Sequence, residues 1–521
     1  MITKSQHVRS GSCLLLVFST LLAVSGCGPQ KTAQVTLGNP INHFANLPPE
    51  RIEQLDAKVR GFCADCHVYP DPSSYPKANW KEEVARGFEF YEASGRTDLS
   101  PPNRAVIIDY FQTLAPEKLD IPPPSYELTG PIQFTPKPIS YSGTNKRPGV
   151  SHLFNSSEGL LICDVTTDEV GLVSFEQHDA TYKKLLSAAA PAHVALYDPR
   201  GSGEIGMLVA ELGTFTPDDH DKGAVSFLPQ SRLQATDPER IKLLENVGRV
   251  ADVTTGDFDG DGKPDVVVAE FGWHETGGLH IIWNKCQQDS LDFEVARIDT
   301  RHGASHVHVI DVDRDEDLDL VVLHSQEYES VSVYLNHGER QFERQEIWHA
   351  HVPDYGLSSM ELADIDADGD FDIVLSNGDS MDSFLLKPHH SVQWLENTSQ
   401  AEALSFTHHS VAQLPAAYGA TAGDLDGDGD IDLVGCTMLW QSQDLNTLVW
   451  YEQTEPGVFE MHPLDLSSNQ HAAVELGDFD ADGDLDIAVG EFNRYIELDY
   501  CGEIWWNEGP TPGGQQTAAS E

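Results

Sequence analysis

The chain has 521 residues, with 84 Asp and Glu against 32 Lys and Arg, a formal net charge of −52. With 40% hydrophobic and 9% aromatic residues it can build a large core, so the acid does not signal a disordered chain. So lopsided a balance excludes a nucleic-acid surface, which needs Lys and Arg against phosphate, and asks instead for cations or basic partners.

In chain order, Lys4 and Arg9 precede an apolar run at 14–24. At about a dozen residues it is too short to span a bilayer but suits the apolar part of a signal peptide. The run ends in Val24, Ser25, Gly26 and Cys27, which resembles the lipobox of bacterial lipoproteins. The resemblance implies that 1–26 is removed and that Cys27 carries lipid. The protein is then expected in the cell envelope, facing the periplasm or the exterior. Its only hold on the membrane would be the lipid, since no later stretch approaches the ~20 apolar residues of a spanning helix. Residues 27–47, polar with Pro and Gly, read as a flexible tether.

Three amphipathic stretches follow. Ile52, Leu55, Val59 and Phe62 recur at helical spacing, as do Trp80, Val84, Phe88 and Tyr91 within 76–93. Ser100 and Pro101 suit the start of a third helix, striped by Val106, Ile107, Tyr110, Phe111 and Leu114. Together they predict a small all-α domain at 48–119, followed by a Pro-rich linker at 120–130. At the end of the first helix stands Cys63-Ala-Asp-Cys66-His67. Two thiols and an imidazole at this spacing attach haem covalently, with His67 as the axial ligand on iron. A redox CxxC would want a βαβ context, and a zinc site would want a second ligand pair. The module resembles class I cytochrome c, which implies one haem c. It departs from that family at the sixth ligand, because no Met occurs between residues 2 and 206. Lys81, Tyr91, His152 or an open position all remain, and a missing thioether is expected to lower the potential.

From 131 to 508 the texture changes to short β-rich runs punctuated by acidic loops. The first aspartates of five such loops fall at 257, 311, 364, 424 and 478, 53 to 60 residues apart, and Asp198 opens a degenerate copy. Each unit reads strand, acidic loop and three further strands; in one unit these are 250–256, 266–271, 279–283 and 293–298. About fifty residues with four strands is one propeller blade. Counting back to Gly149 gives seven blades. The last has three strands before a disordered tail at 509–521, so the orphan strand 132–141 is expected to complete it and remove both sheet edges. A solenoid of the same units is the competing architecture.

Within each loop, with the first Asp as position 1, carboxylates stand at 1, 3, 5 and 9. These are Asp257, Asp259, Asp261 and Asp265; Asp311, Asp313, Asp315 and Asp319; Asp364, Asp366, Asp368 and Asp372; Asp424, Asp426, Asp428 and Asp432; Asp478, Asp480, Asp482 and Asp486. Carboxylates spaced by two converge when the chain curls, and Gly at position 6 permits the turn. With a carbonyl from position 7 they offer a hard-oxygen site that favours Ca2+, up to five ions in all. Metal-free acidic turns are the alternative. The pattern resembles the FG-GAP or VCBS repeat family, which implies an integrin-type seven-bladed propeller with Ca2+ at these positions. Glu316 replaces the position 6 glycine in one loop and is expected to strain it.

Aligning the inner strands on the first Asp brings polar residues to one end of the channel: His193, Asp252 and His306 at one offset, and His308, Glu361 and Glu475 two residues on. They make either a metal or substrate site or a hydrogen-bonded plug. Disulfides among Cys163, Cys286, Cys436 and Cys501 stay open. The expectation is thus a multidomain protein: a cytochrome c-like all-α domain on an all-β calcium-loop propeller, transferring electrons to a basic partner. An oxidoreductase with a haem-fed channel site is the second reading. Nothing suggests a Ser-His-Asp triad, a P-loop or a dinucleotide fold.

Overall fold

The computed structural model describes residues 47–511, apart from 129, 142–144, 233–234, 236–237, 289, 382, 401–402, 440–442, 469 and 494. The expected signal peptide, Cys27, nearly all of the tether and the tail beyond 511 lie outside the described residues. Among the described residues, no helix is long and apolar enough to cross a membrane.

The first three elements are helices: α1 (Pro49–Cys63), α2 (Trp80–Ala93) and α3 (Arg104–Leu114). Two starts differ from the sequence expectation. Pro76 and Asn79 close a turn before α2 (Asn79 N–H to Pro76 O, 2.9 Å). Helix α3 begins at Arg104, not Pro101, because Pro102 pushes the residue before it out of helical geometry. Asn103 then caps the helix, its Oδ1 accepting from Ala105 N–H at 2.9 Å. The apolar stripes meet in one core of Val59, Tyr75, Trp80, Val84, Ile107, Tyr110 and Phe111. Trp80 stacks on Phe111 with ring centres 4.0 Å apart.

Beyond the linker the chain forms seven four-stranded antiparallel sheets. Blades 1 to 6 use consecutive strands at 150–187, 191–247, 250–299, 304–349, 357–413 and 417–467. Blade 7 takes His471–Gly477, Asp486–Glu491 and Tyr500–Pro510, and its outer strand is Ile132–Ser140. Phe134 pairs with Asn507 and Lys137 with Ile504, so the two ends of the propeller are joined in one sheet, as the sequence predicts. Every inner strand packs against those of both neighbouring blades around the whole ring, which excludes the solenoid.

Patterning explains the layers. Second strands such as Asp265–Glu270 and Asp319–His324 are buried throughout and read as near-continuous Val, Leu and Ile runs. Outer strands such as Phe293–Asp299 are largely exposed. The acidic loops join inner to second strands and therefore share one face of the disc; inner strands start at the other face.

The helices rest on that second face. Leu385, from the loop between the second and third strands of blade 5, joins the helical core. In the same loop Lys387 is 3% exposed, with Nζ 2.5 Å from Asp354 Oδ2 and 3.4 Å from the Tyr75 hydroxyl. Phe90 meets His274 of blade 3 with ring centres 5.4 Å apart. The linker is held by Ser125 N–H donating to Asn446 Oδ1 at 2.7 Å. Cys163, Cys286, Cys436 and Cys501 are buried free thiols, and Cys501 Sγ lies 3.5 Å from the Ile139 carbonyl oxygen, which it approaches as donor.

Trp506 is fully buried in the closing blade. Trp506→Ala should therefore cost roughly 3–5 kcal/mol in denaturant unfolding, the range for a large core aromatic. A loss under about 1 kcal/mol would mean the closure contributes little to stability.

Candidate functional site

The five acidic loops share one backbone shape. Position 4 has positive φ in each (Gly260 68°, Arg314 62°, Ala367 59°, Gly427 75°, Ala481 63°), and so does position 6 (Gly262 83°, Glu316 78°, Gly369 91°, Gly429 101°, Gly483 106°). Glu316 thus adopts the left-handed conformation expected of it, at about 1 kcal/mol of strain, without changing the loop. The aspartates hold this shape from within. Position 1 accepts the position 6 N–H in four loops (Gly262 2.8 Å, Glu316 3.1 Å, Gly369 3.1 Å, Gly429 3.1 Å), and Asp478 accepts from Asp482 N–H at 3.0 Å. Position 5 accepts the position 7 N–H, as Asp315 does from Asp317 at 2.9 Å and Asp428 from Asp430 at 3.1 Å.

Position 9 ties loop to sheet. Asp265, Asp319, Asp372, Asp432 and Asp486 are each 1% exposed. Each accepts from position 2 and from the last residue or the end of the third strand; Asp372, for example, takes Ile365 N–H at 3.0 Å and Asn397 N–H at 2.7 Å. Burial pushes Asp265 and Asp319 up to about 6 and Asp372, Asp432 and Asp486 up to about 7, against the pull of those N–H groups.

Carboxylates remain that the backbone does not need. The degenerate loop of blade 2 provides an internal control. Asp198 accepts from Gly203 N–H at 2.6 Å, and Gly201 and Gly203 have φ of 60° and 80°, the same turn, with Arg200, Ser202 and Gly206 at positions 3, 5 and 9. The turn itself therefore forms without acid at positions 3, 5 and 9. In each of the other five, one buried carboxylate oxygen has no donor: Asp259 Oδ1, Asp313 Oδ1, Asp370 Oδ1, Asp430 Oδ1 and Asp484 Oδ1. Oxygens of Asp257, Asp259 and Asp265 lie within 4.8 Å of one another, as do those of Asp311, Asp313 and Asp315, of Asp364, Asp366 and Asp372, and of Asp424, Asp426 and Asp432. Asp259 and Asp313 contribute a donorless oxygen to their converging sets, which fits a hard divalent cation.

The sequence reading passes over the position 7 side chains. Asp370, Asp430 and Asp484 turn inward, and burial, followed by the facing Asp368, Asp428 and Asp482, pushes each up to about 6. The signal was visible as Asp at position 7 in four of the loops. The blade 3 loop differs: Lys263 pairs with Asp261 at 2.9 Å and Arg340 with Asp259 at 2.7 Å, so it supplies part of its own countercharge. In the blade 7 loop His178 stands 2.9 Å from Asp480.

The second constellation lies at the C-terminal end of α1. Cys63 closes the helix half-buried, Cys66 is exposed, and both are free thiols. Burial pushes the Cys63 thiol up to about 11. His67 Nδ1 lies 2.7 Å from the Val68 carbonyl, which fixes that nitrogen as donor and leaves Nε2 as the ligating atom. Arg96 braces the turn by pairing with Asp65 at 2.5 Å and Asp98 at 2.6 Å. Two unpaired thiols and an oriented imidazole fit a covalently held haem. Of the candidate sixth ligands, Tyr91 donates to the Leu99 carbonyl at 3.3 Å, and His152 stands in the propeller channel against His193, ring centres 3.8 Å apart.

The channel residues fall in two tiers. His193 Nδ1 is 3.1 Å from Asp252 Oδ1, and Asp252 also accepts from Val253 and Val307 N–H at 2.6 and 2.8 Å. His308 Nε2 lies 3.0 Å from the Met360 carbonyl, and Glu475 accepts from Asn155 N–H at 3.3 Å. Glu361 is held near His308, and burial raises its pKa.

Fold and loops together define a seven-bladed β-propeller that carries FG-GAP-like repeats, an interaction scaffold. Residues 257–322 and 311–375 match the FG-GAP-like repeat family. No curated protein matches the chain. Among solved structures, it is similar to the N-terminal domain of Nup159 at 12% identity and TM-score 0.38, covering 73% of this chain and 96% of that one. It is also similar to the computationally designed Ika8 protein at 9% identity and TM-score 0.36, covering 71% and 99%.

The loops predict a calcium-dependent melt. A site that binds only the native ring adds about 2.7 kcal/mol at a hundredfold excess of ion over Kd. Chelation should lower the melting temperature, and Asp428→Ala, which removes one site, should lower it less. An unchanged melt in excess chelator would leave the loops as metal-free acidic turns.

Proposed function

We propose that the protein is an envelope-anchored c-type electron carrier whose propeller, stabilised by Ca2+, is its docking scaffold. The observation that carries this reading is the oriented His67 beside two unpaired thiols, in a helical module packed on a rigid ring. Cys63 and Cys66 would hold one haem c by thioether bonds, and Nε2 of His67 would be its axial ligand. Haem bound there supplies a one-electron couple. The chain's own part is to orient His67 through the Val68 carbonyl, to brace the motif through Arg96, and to present the module on the face opposite the acidic loops. A net charge of −52 favours a basic redox partner, with an on-rate that falls as salt screens the field. Cys27 would carry the lipid that keeps the protein at a membrane.

Two experiments test the reading. Purified protein should show a c-type reduced-minus-oxidised spectrum that survives acid-acetone extraction, and Cys63→Ser with Cys66→Ser should abolish it. The reduced protein should be low-spin and refuse carbon monoxide; fast, complete binding would mean an open iron and favour catalysis over electron transfer. For the anchor, Cys27→Ser should yield soluble protein or uncleaved precursor. Tight membrane association after complete signal removal would refute a lipid anchor at that cysteine.

A further inference from the structure

The strand registers place one residue from every blade at a common level of the channel. Past a bulge near its start, each inner strand pairs again with its neighbour. The residues there are His152 opposite Cys163, His193 opposite Ala210, Asp252 opposite Ala269, His306 opposite Leu323, Ser359 opposite Ser376, Gly419 opposite Cys436 and Ala473 opposite Gly490. Blades 1 to 4 thus contribute His, His, Asp and His in unbroken order, and blades 5 to 7 contribute Ser, Gly and Ala. A ring whose potential ligands fill one arc and whose smallest side chains fill the other is not the symmetric polar plug that seven similar blades would give.

The contacts within the arc are short and poorly satisfied. The rings of His152 and His193 lie 3.8 Å apart between centres, and His193 Nδ1 stands 3.1 Å from Asp252 Oδ1 without hydrogen-bond alignment. His152 Nε2 and His193 Nδ1 are enclosed and have no hydrogen-bond partner. An enclosed ring nitrogen left unpaired is costly, so two at one level ask for something to bind them. His306 Nδ1 lies 3.3 Å from Ser305 Oγ. Neutral imidazole is the form that donates a lone pair to metal. The next tier is otherwise engaged, since His308 and Glu475 spend their polar atoms on the walls of adjacent blades.

We propose that this tier binds one divalent d-block cation, of the Cu2+ and Zn2+ class, through His152, His193 and His306 with Asp252 beside them, and that its open positions face Ser359, Gly419 and Ala473. Imidazole nitrogen selects such ions over Ca2+, whose oxygen ligands lie in the loops on the opposite face. Three or four protein ligands with one side open is the arrangement that leaves room for an exogenous ligand. The site is independent of the haem reading, since it needs none of Cys63, Cys66 or His67.

The test uses the full protein as purified, kept in millimolar Ca2+, stripped of transition metals and titrated with Cu2+ alone. One equivalent should bind and give an electron paramagnetic resonance spectrum with couplings to several nitrogens. His193→Ala and His306→Ala should each weaken it at least tenfold, with the melting temperature and c-type spectrum unchanged. His462→Ala serves as a control, because Glu452, Glu460 and His462 in blade 6 form another group able to hold a cation. That variant should leave the titration as it was. Absence of a stoichiometric nitrogen-coordinated ion in the unaltered protein would overturn the proposal even if the channel variants misfold. Loss of the signal in His462→Ala, or its persistence in folded His193→Ala and His306→Ala, would also overturn it.

Discussion

The pairing of Ile132–Ser140 with Tyr500–Pro510 is the constraint on which the remaining geometry rests. It brings together the two ends of a propeller whose blades otherwise touch only their sequence neighbours, and it supplies the fourth strand of the last sheet. Closure also fixes the level of each inner strand against the next. Only in a closed ring do residues from blade 1 and blade 7 face the same stretch of channel, and the second face seats the helices against Leu385 and Lys387.

The distribution of acid follows from that architecture. A chain with this surplus of carboxylates would repel itself if they were spread at random over a compact surface. Many are instead gathered in five turns on one face, where position 1, position 5 and position 9 each do backbone work before any cation is considered. The blade 2 loop makes the same turn around Asp198 with Arg200, Ser202 and Gly206 at positions 3, 5 and 9. The contrast separates what the turn needs from what a cation needs, and the donorless oxygens of Asp370, Asp430 and Asp484 fall on the second side.

The propeller therefore presents two chemically different faces. One is lined by hard oxygen. The other carries the helical module and the mouth of a channel whose upper tier is nitrogen-rich. Burial acts on both in the direction that removes charge, raising aspartates in the loops and lowering histidines in the channel.

Local pattern determined much of this. The 3.6-residue stripes located α1 to α3, the repeated DxDxD signature located five loops and set the blade count, and the orphan strand before blade 1 was legible as the closing one. These features depend on neighbours within about a dozen residues, which is the range over which backbone propensity and turn chemistry act. The start of α3 was equally local, set by Pro102 and by the Asn103 bond to Ala105, and Asp370 turns inward within its own loop. What tertiary structure alone decided involves residues far apart in the chain. The sequence offered His152 only as a candidate haem ligand, because blade 1 has no acidic loop from which to count. The bulge shared by all seven inner strands, and the closure that levels them, put it beside His193. Sequence spacing measures distance along the chain, and the channel tier is set by register between strands that the chain does not connect directly.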